Sequence, residues 1–158
     1  MKFKPRLRLE NFSYKGYFKY FVTICTFQKQ KLFLLNDTNV FPLIDILKET
    51  ANKYQFKIWV YVFMPEHLHL LVEGNSVNSD FQKFIAVYKQ KGGFKFWHEK
   101  RVHLWQDNYY EHVLRKEEDN LGIVKYILNN PVRKGLVENY QDYKYSGSLM
   151  LDIRNAMF

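Results

Sequence analysis

The chain has 158 residues, the length of one ordinary domain, and 47% of them are apolar, as in most globular proteins. Lysine and arginine number 24 against 16 aspartate and glutamate residues, which gives a formal net charge of +8, and aromatic residues make up 18%. Surplus positive charge attracts phosphates and aromatic rings stack on unpaired bases, so these totals suggest a nucleic-acid partner. A basic protein with an aromatic core would have the same totals, so they do not establish one.

Other features of the sequence exclude several kinds of protein. Cys25 is the only cysteine, so neither an internal disulfide nor a cysteine-built zinc site can form. No apolar run approaches the roughly 20 residues needed to cross a bilayer. The basic start, MKFKPRLRLE, has no apolar segment behind it, so we expect no signal peptide. We expect one domain over residues 1–158, located in the cytoplasm and without a membrane partner.

The first half of the chain predicts three strands and one helix. Residues 20–27 are β-branched and aromatic, which predicts a strand. Residues 41–54 carry apolar side chains at helical spacing and predict an amphipathic helix. Residues 56–63 and 67–73 alternate between apolar and other side chains, as strands do. Because only MPE separates these two strands, they are predicted to form an antiparallel hairpin.

The second half predicts two helices and a further strand. Residues 79–97 are helical in pattern, with a break predicted at the glycine pair 92–93, and residues 109–114 could be a strand. Residues 117–130 predict a helix that has acidic residues in its first turn and ends at Pro131. The order β, α, β, β, α, β, α predicts an α+β fold, an antiparallel sheet covered by helices and ferredoxin-like in character.

Two histidines lie on one face of the second hairpin strand. His67 and His69 are two residues apart, so both side chains leave the face opposite the apolar one. Imidazole nitrogen is a good ligand for divalent transition metals, although an isolated pair of this kind is more often simply half-buried. The same face of the preceding strand is predicted to carry Lys57, Trp59 and Tyr61. The pattern therefore indicates an exposed functional surface rather than a packed one.

The helix predicted at 117–130 offers a third ligand. Tyr126 and Asn130 are four residues apart and should project from one side of the helix. Asn130 could supply a carbonyl oxygen to a metal and so place the hydroxyl of Tyr126 beside it. Asn130 precedes a proline, so irregular geometry is expected there, and packing is the commoner role of a helical tyrosine. The residues expected to anchor the opposite side are Leu121, Val124 and Leu128.

Four sequence blocks occur in a characteristic order. They are YVFMPEHLHLLV at 61–72, WQDNYYEH at 105–112, YILNNPVRKGLV at 126–137 and YSGS at 145–148. In these blocks the chain resembles the IS200-type single-tyrosine transposases of the HUH nuclease superfamily, in particular the branch associated with repetitive extragenic palindromes. The similarity extends from the first predicted strand almost to the C-terminus.

The resemblance implies a fold, a reaction and a site. It implies the HUH nuclease fold and cleavage of single-stranded DNA, in which a tyrosine hydroxyl forms a 5′-phosphotyrosyl intermediate that is later resolved by strand transfer. By this resemblance Tyr126 is the nucleophile, and His67, His69 and Asn130 hold Mg²⁺ or Mn²⁺. The implied substrate is single-stranded DNA with a hairpin. IS200-type enzymes are dimers that share active sites and the palindrome-associated branch is monomeric, so a monomer and a homodimer both remain open.

The sequence departs from the family pattern at three positions. Glu66 replaces the usual asparagine before the first histidine and adds a carboxylate near the implied metal, which puts metal preference or phosphate approach in question. Leu128 replaces a frequent histidine, and Lys134 replaces a common small residue. None of these changes removes an implied catalytic position.

Basic residues are expected to bind the DNA backbone, and aromatic residues among them could stack on bases. In the central segment, residues 83–101, the aromatic candidates are Phe94, Phe96 and Trp97. The alternative to DNA binding there is a solvated helix face whose apolar side is buried in the core. The basic candidates are Lys2, Lys4, Arg6 and Arg8 in the N-terminal arm and Lys83, Lys89, Lys91, Lys95, Lys100 and Arg101 in the central segment.

Two other functions remain open from the sequence. One is a non-catalytic module that binds single-stranded nucleic acid, because ferredoxin-like sheets with exposed aromatic residues also bind RNA. The other is a metal-dependent hydrolase in which water attacks the phosphate. Only the tyrosine mechanism leaves protein attached to DNA. Tyr109 and Tyr110 are rival nucleophiles, but they lie in a predicted strand and not where the resemblance places the reactive tyrosine.

Overall fold

The structure is a computed structural model that describes residues 8–156. Three of the basic residues expected to bind DNA, Lys2, Lys4 and Arg6, lie outside the described residues. The described helices include none that is both long enough and apolar enough to cross a membrane.

A five-stranded antiparallel sheet forms the centre of the molecule, in the order β4-β1-β3-β2-β5. The strands β2 and β3 are the predicted hairpin, and the YSGS block supplies the short edge strand β5. The strands are β1 (Lys19–Cys25), β2 (Phe56–Met64), β3 (His67–Gly74), β4 (Tyr110–Val113) and β5 (Ser146–Gly147).

Helices cover both faces of the sheet, which confirms the predicted α+β fold. The helices are α1 (Asp37–Tyr54), α2 (Phe81–Lys100), α3 (Asn120–Leu128) and α4 (Asn130–Arg133). Single 3₁₀ turns lie at Phe27–Lys29 and Tyr140–Asp142. On the face covered by α1 and α2, ring stacking joins helix to sheet: Tyr20 of β1 stacks on Phe81 of α2 with ring centroids 3.8 Å apart.

A β-bulge at Trp59 corrects the predicted face of β2. Ile58 pairs with Val72 while Val60 pairs with Leu71, so one extra residue lies between them. A bulge shifts the two-residue alternation, and every residue after it changes face. The face that carries the histidines begins on β2 with Lys57 and Trp59, as predicted: Lys57 pairs with Glu73, and Nε1 of Trp59 donates a hydrogen bond to Oε2 of Glu73. Beyond the bulge this face continues through apolar side chains packed under α3, so Tyr61 is on the face opposite to the predicted one. The buried residues are Val60, Val62 and Met64.

The predicted break in the second long helix is wrong, because α2 runs unbroken through both glycines. Gly92 is buried where α2 crosses α1, and a Cβ atom there would lie 2.9 Å from Cδ2 of Leu43. A Cβ at Gly93 would meet nothing within 4 Å. At position 92 glycine therefore allows two helices to approach closely and does not interrupt one.

Two helix starts also differ from the prediction. The helix α1 begins at Asp37, one turn before the apolar pattern, because the side chain of Asn36 accepts a hydrogen bond from the backbone N–H of Asn39 at its start. The helix α3 begins only at Asn120, and its first turn contains no acidic residue. Residues 117–119, predicted as helix, lie in the turn before it.

Candidate active site

The two histidines of β3 point their Nε2 atoms at each other, 3.0 Å apart. Each ring is held from behind by a hydrogen bond at Nδ1. The Oγ1 atom of Thr23, the residue opposite on β1, lies 2.8 Å from Nδ1 of His69. The Oε1 atom of Glu66 lies 3.1 Å from Nδ1 of His67. Because a carboxylate only accepts, the Glu66 bond favours the tautomer of His67 whose Nε2 lone pair is free.

Burial holds both histidines in the neutral form. The pKa of His69 lies well below its usual value, chiefly because burial disfavours the charged ring, and the neighbouring His67 lowers it further. Burial also lowers the pKa of His67, although Glu66 opposes that change. Neutral imidazole is the form that binds metals. The pair is therefore prepared for a cation at neutral pH.

The candidate nucleophile and the candidate third ligand reach the same place. Tyr126 of α3 and Asn130 at the start of α4 line one cavity of about 340 Å³ with His67 and His69. Asn130 is 7% exposed. The fold thus brings together the four side chains that the sequence singled out, although His69 and Tyr126 are 57 residues apart in the sequence.

The way α3 is anchored differs from the prediction. Leu121 is 49% exposed and does not anchor the helix. The side chains that fasten α3 to the sheet are Ile123, Val124, Ile127 and Leu128. This set still leaves Tyr126 on the side that faces the cavity.

The C-terminal end of the helix predicted at 117–130 also differs from the prediction. The helix α3 ends at Leu128, and Asn129 separates it from α4 with φ −82° and ψ 1°. Pro131 is therefore in the first turn of α4, where its missing N–H costs nothing, and it does not itself end α3. Tyr126 and Asn130 accordingly belong to successive helices, and the irregular geometry expected beside the proline is present one residue earlier.

The ligand set fits a divalent cation. Two ligands at about 2.1 Å from a metal and at right angles to each other are about 3.0 Å apart, which equals the Nε2 separation here. The described residues contain no group of three or more histidine, cysteine, aspartate or glutamate side chains that could hold a metal. The candidate set is instead two imidazoles and one amide, and it leaves room for water or substrate oxygens.

Positive charge surrounds this cavity at positions that sequence reasoning had not assigned to it. Lys29 and Lys134 line the cavity, and the guanidinium carbon of Arg133 lies 4.1 Å from the ring centroid of Tyr126. Lys134 had stood out only as a departure from the family pattern, and Arg133 is its neighbour. The sequence around Thr23 does not show that it lies opposite His69, because this pairing depends on the register of β1 and β3. The sequence around Lys29 likewise does not show that it lines the cavity.

The basic residues of α2 lie on the other side of the sheet from this cavity. The ammonium group of Lys89 donates to the backbone carbonyl oxygens of Gln106 and Asp107, and Lys95 forms an ion pair with Glu99. Lys100 donates to the amide oxygen of Asn39. The exposed candidates are Lys83, Lys91, Lys100 and Arg101 in the central segment and Arg8 in the N-terminal arm.

The aromatic residues of α2 divide into two groups. Phe94 is 69% exposed and Trp97 is 55% exposed, so both can meet a ligand. Phe96 is 2% exposed and belongs to the core, so the expectation that it stacks on bases is wrong.

The two rival tyrosines lie outside the cavity lining. Tyr110 pairs with Thr23 across β4 and β1, so its side chain is on the histidine face, and it is 51% exposed. Tyr109 lies on the opposite side, where its ring meets Phe81 with centroids 6.2 Å apart. Tyr126 is the tyrosine that shares a cavity with both histidines.

A protein-family model described as Transposase IS200 like matches residues 15–130, well over half of the chain. The chain belongs to the IS200-like transposase family. The resemblance seen in the sequence is confirmed, and the family is one of enzymes that act on DNA.

Individual relatives agree with this family. An uncharacterised protein of Haemophilus influenzae is 30% identical over 156 residues, covering 80% of this chain and 87% of the relative. A candidate REP-associated tyrosine transposase of the same organism is 28% identical over 150 residues, covering 88% and 84%. The REP-associated tyrosine transposase of Escherichia coli is 30% identical over 95 residues, covering 58% of this chain and 53% of the relative.

Solved structures are similar in fold. A REP-associated tyrosine transposase bound to a REP hairpin superposes with a TM-score of 0.71 and 24% identity, covering 89% of this chain and 82% of that one. A transposase candidate from Deinococcus radiodurans gives a TM-score of 0.53 and 19% identity, covering 78% and 97%. At these identities the likeness concerns the fold alone, and it agrees with the IS200-like assignment.

Proposed function

We propose that this protein cleaves and rejoins single-stranded DNA through a covalent bond between Tyr126 and a 5′ phosphate. The observation that carries the proposal is the meeting of Tyr126, His67, His69 and Asn130 around one cavity. A nucleophile, a pair of neutral imidazoles and an amide oxygen are the groups that a metal-assisted attack on a phosphodiester requires.

The reaction exchanges one phosphate ester for another. The hydroxyl oxygen of Tyr126 attacks the phosphorus and loses its proton, the bond to the 3′ oxygen of the preceding nucleotide breaks, and that oxygen takes up a proton. The DNA is left with a free 3′ hydroxyl and a 5′ phosphate on Tyr126. A second 3′ hydroxyl then attacks the same phosphorus and releases the tyrosine. Because the number of ester bonds is unchanged, rejoining needs no ATP.

His67, His69 and Asn130 would hold Mg²⁺ or Mn²⁺ beside Tyr126. When bound, such an ion draws charge from a non-bridging phosphate oxygen and makes the phosphorus easier to attack. The contribution of the protein is to fix the ligands before binding: Thr23 and Glu66 orient the two rings, and burial keeps them neutral. The two histidine rings then need little rearrangement when the reaction takes place.

Lys29, Lys134 and Arg133 would act on the phosphate and on the nucleophile. A phosphodiester anion repels an approaching oxygen, and fixed cations in a partly buried cavity offset that repulsion. Arg133 also lies against the ring face of Tyr126, 4.1 Å from its centroid, which restricts how the ring can turn.

The proposed substrate is a structured single strand. Among the similar solved structures is a transposase bound to a REP hairpin, and two relatives carry REP-associated names. The net charge of +8 favours binding to a phosphate backbone. On the histidine face α3 packs on β2 and β3, whose apolar side chains are buried there, so this part of the sheet offers no open aromatic surface of the kind that RNA-binding sheets use. A catalytic function on DNA is therefore preferred to a non-catalytic module that binds nucleic acid.

The test is a covalent adduct. Single-stranded DNAs labelled at the 5′ or 3′ end, including hairpins from the sequence that flanks the gene, are incubated with the protein and Mn²⁺ and separated on a denaturing gel. We expect label that migrates with protein, carried through the 5′ phosphate of the downstream fragment. The Tyr126→Phe variant should bind DNA and form no adduct, and His67→Ala should lose most of the adduct.

Tyr110→Phe is the matched control, because Tyr110 is exposed on the same face of the sheet and lies outside the cavity. It should form the adduct as the unaltered protein does. Cleavage that persists in full in Tyr126→Phe would contradict the proposal. Cleavage without any adduct would support attack by water instead.

A further inference from the structure

The proposed cleavage needs a proton donor for the oxygen that leaves. Without one, the 3′ oxygen departs from phosphorus as an alkoxide, and a positioned acid speeds such a step by about 10²- to 10⁴-fold. The two histidines are held neutral by burial and direct their Nε2 atoms at the candidate cation position, so neither is free to act as this acid. Two ammonium groups line the same cavity, those of Lys29 and Lys134.

A thiol in the cavity lining is a poorer donor than an ammonium group. If Cys25 gave up its proton, a new negative charge would appear beside a phosphate that is already anionic. Burial also raises the pKa of Cys25, although the charge of Lys29 opposes this change. An ammonium group starts positive and becomes neutral, so its proton transfer places no second anion in the cavity.

The sheet order places Lys29 and Tyr126 on opposite sides of the histidines. The helix α3, which carries Tyr126, packs on β2 and β3. Lys29 follows β1, which lies beside β3 on the side away from β2. The histidine strand β3 therefore runs between the nucleophile and Lys29.

This arrangement matches the geometry of an in-line displacement. The attacking and leaving oxygens lie roughly in line on opposite sides of the phosphorus. A phosphate held over the histidines and attacked from the α3 side therefore directs its leaving oxygen toward the β1 side. Lys134 lies on the side of the nucleophile, because it follows α4, which packs on β2, and its backbone N–H donates to the carbonyl oxygen of Asn130.

The backbone fixes the position of Lys29 relative to the histidine strand. Gln28 and Lys29 have φ values of 54° and 53°, in the left-handed region that residues other than glycine rarely adopt. Such conformations persist where the surrounding structure imposes them, and they are frequent at functional sites. The backbone N–H of Thr26, just before this turn, donates to the carbonyl oxygen of Glu66 at 2.9 Å. The turn is thereby tied to the residue that precedes His67.

The side chain of Lys29 is available for a substrate. It is exposed, and within the part of the chain that the structure describes its ammonium group forms no ion pair or hydrogen bond. Lys89 and Lys95 differ in this respect, because the first binds two backbone carbonyl oxygens and the second pairs with Glu99. Since Lys29 is exposed, water can return a proton that it has given away.

We propose that Lys29 is the general acid of the cleavage, donating a proton from its ammonium group to the departing 3′ oxygen. The inference rests on the proposed function. In cleavage the bond between the Tyr126 oxygen and phosphorus forms, the tyrosine proton passes to water, the bond to the 3′ oxygen breaks and Lys29 is left as a neutral amine. In rejoining, this amine takes the proton of the attacking 3′ hydroxyl, and the released tyrosine oxygen regains a proton from water.

The test replaces the leaving oxygen with sulfur. Hairpin DNA on which the unaltered protein forms the Tyr126 adduct is synthesised with a bridging 3′ sulfur at the mapped cleavage position and compared with the ordinary oxygen form. A thiol has a pKa of about 8.5, so a thiolate leaves without being protonated and needs no acid. Adduct formation is measured with Mn²⁺ in a single turnover at saturating protein, so differences in DNA affinity do not enter the rates.

We expect Lys29→Ala to react with the oxygen DNA about 10²- to 10⁴-fold more slowly than the unaltered protein. With the sulfur DNA it should react at nearly the rate of the unaltered protein, which would also show that the variant is folded. Lys29→Arg keeps the charge but its guanidinium group does not give up a proton, so it should stay slow on the oxygen DNA.

Two further variants serve as comparisons. Lys134→Ala removes a cation on the nucleophile side and should slow both DNAs by the same factor. Lys31→Ala is the matched control, because Lys31 is exposed two residues after Lys29 and lies outside the cavity lining. It should change neither rate.

The outcomes separate this inference from the proposed function. Equal slowing of both DNAs in Lys29→Ala, or full recovery of the oxygen DNA rate in Lys29→Arg, would show that Lys29 contributes only charge and would overturn the inference. Rescue by sulfur confined to Lys134→Ala would assign the acid to Lys134 and overturn it as well. In these cases the adduct formed by the unaltered protein leaves the proposed function standing. Failure of the unaltered protein to form an adduct on either DNA would refute the proposed function and this inference with it.

Discussion

The carboxylate of Glu66 lies 3.1 Å from Nδ1 of His67, on the side of the ring that faces away from His69. The sequence had raised the possibility that Glu66 would disturb the metal or the approaching phosphate. Glu66 does line the cavity with the histidines, and its contact with Nδ1 of His67 also puts it where a carboxylate orients the imidazole and increases its basicity. Glu66 thus has the position of a supporting residue.

We predict that Glu66→Ala weakens Mn²⁺ binding to the DNA-free protein by about 10- to 100-fold, as is usual when the partner of a histidine ligand is removed. Thr23→Val should have a similar effect, because it removes the hydrogen bond to Nδ1 of His69. Isothermal titration calorimetry with Mn²⁺ measures the affinity directly. Glu49→Gln, an exposed change on α1, is the control. Equal affinities in all four proteins would show that the two supporting bonds do not matter for binding.

We predict that Arg133→Ala slows adduct formation by about 2- to 30-fold, the range that corresponds to the loss of one cation–π contact. The guanidinium carbon lies 4.1 Å from the ring centroid of Tyr126, so its removal leaves the nucleophile less restrained. Arg133→Lys keeps the charge but not the planar stack and should recover part of the rate. Single-turnover adduct formation at saturating protein is the measurement. A variant that reacts at the original rate would exclude a role in positioning.

The sequence predicted the central residues of the candidate site but not the residues that hold them in position. The blocks around His67 and Tyr126 contain the four side chains that the fold brings to one cavity, because residues two apart on a strand and four apart on a helix lie on one side of the element. The bulge at Trp59 moved Tyr61 to the face opposite the histidines, since an alternating pattern does not reveal where one residue is left over. Thr23 was missed for a related reason: its hydrogen bond to His69 depends on the register of two strands 46 residues apart.

We predict opposite effects of alanine at the two neighbouring glycines of α2. Gly93→Ala should raise the free energy of unfolding by about 0.5–1 kcal/mol, because alanine suits a helix better and the new Cβ meets nothing within 4 Å. Gly92→Ala should lower it by about 1 kcal/mol or more, because the new Cβ would lie 2.9 Å from the buried Leu43. Urea denaturation of both variants tests this. Equal stabilisation by both would mean that the contact between α1 and α2 can relax freely.

The buried carboxyl group of Glu111 provides a prediction about pH. Glu111 is 5% exposed, and its Oε1 atom accepts a hydrogen bond of 2.5 Å from the hydroxyl of Tyr14. Burial raises the pKa of Glu111 above its usual value of 4.5, although the bond from Tyr14 opposes the change. The folded protein therefore retains this proton over a pH range in which the unfolded chain has lost it, and this group makes folding less favourable as pH rises through that range.

We predict that Glu111→Gln is more stable than the unaltered protein at pH 7.5 and that this advantage disappears near pH 4. Glutamine is neutral at every pH and its amide oxygen can still accept the hydrogen bond from Tyr14, so the cost of ionising a buried carboxyl group, which grows with pH, is removed. The glutamine NH₂ group takes the place of the unpartnered Oε2 atom, and this contribution is the same at both pH values. Each pKa unit of the shift corresponds to about 1.4 kcal/mol at high pH. Urea denaturation at both pH values gives the two differences, with the exposed Glu49→Gln as the matched control. A difference between Glu111→Gln and the unaltered protein that stays constant from pH 4 to 7.5 would mean that Glu111 ionises as readily in the folded protein as in the unfolded chain.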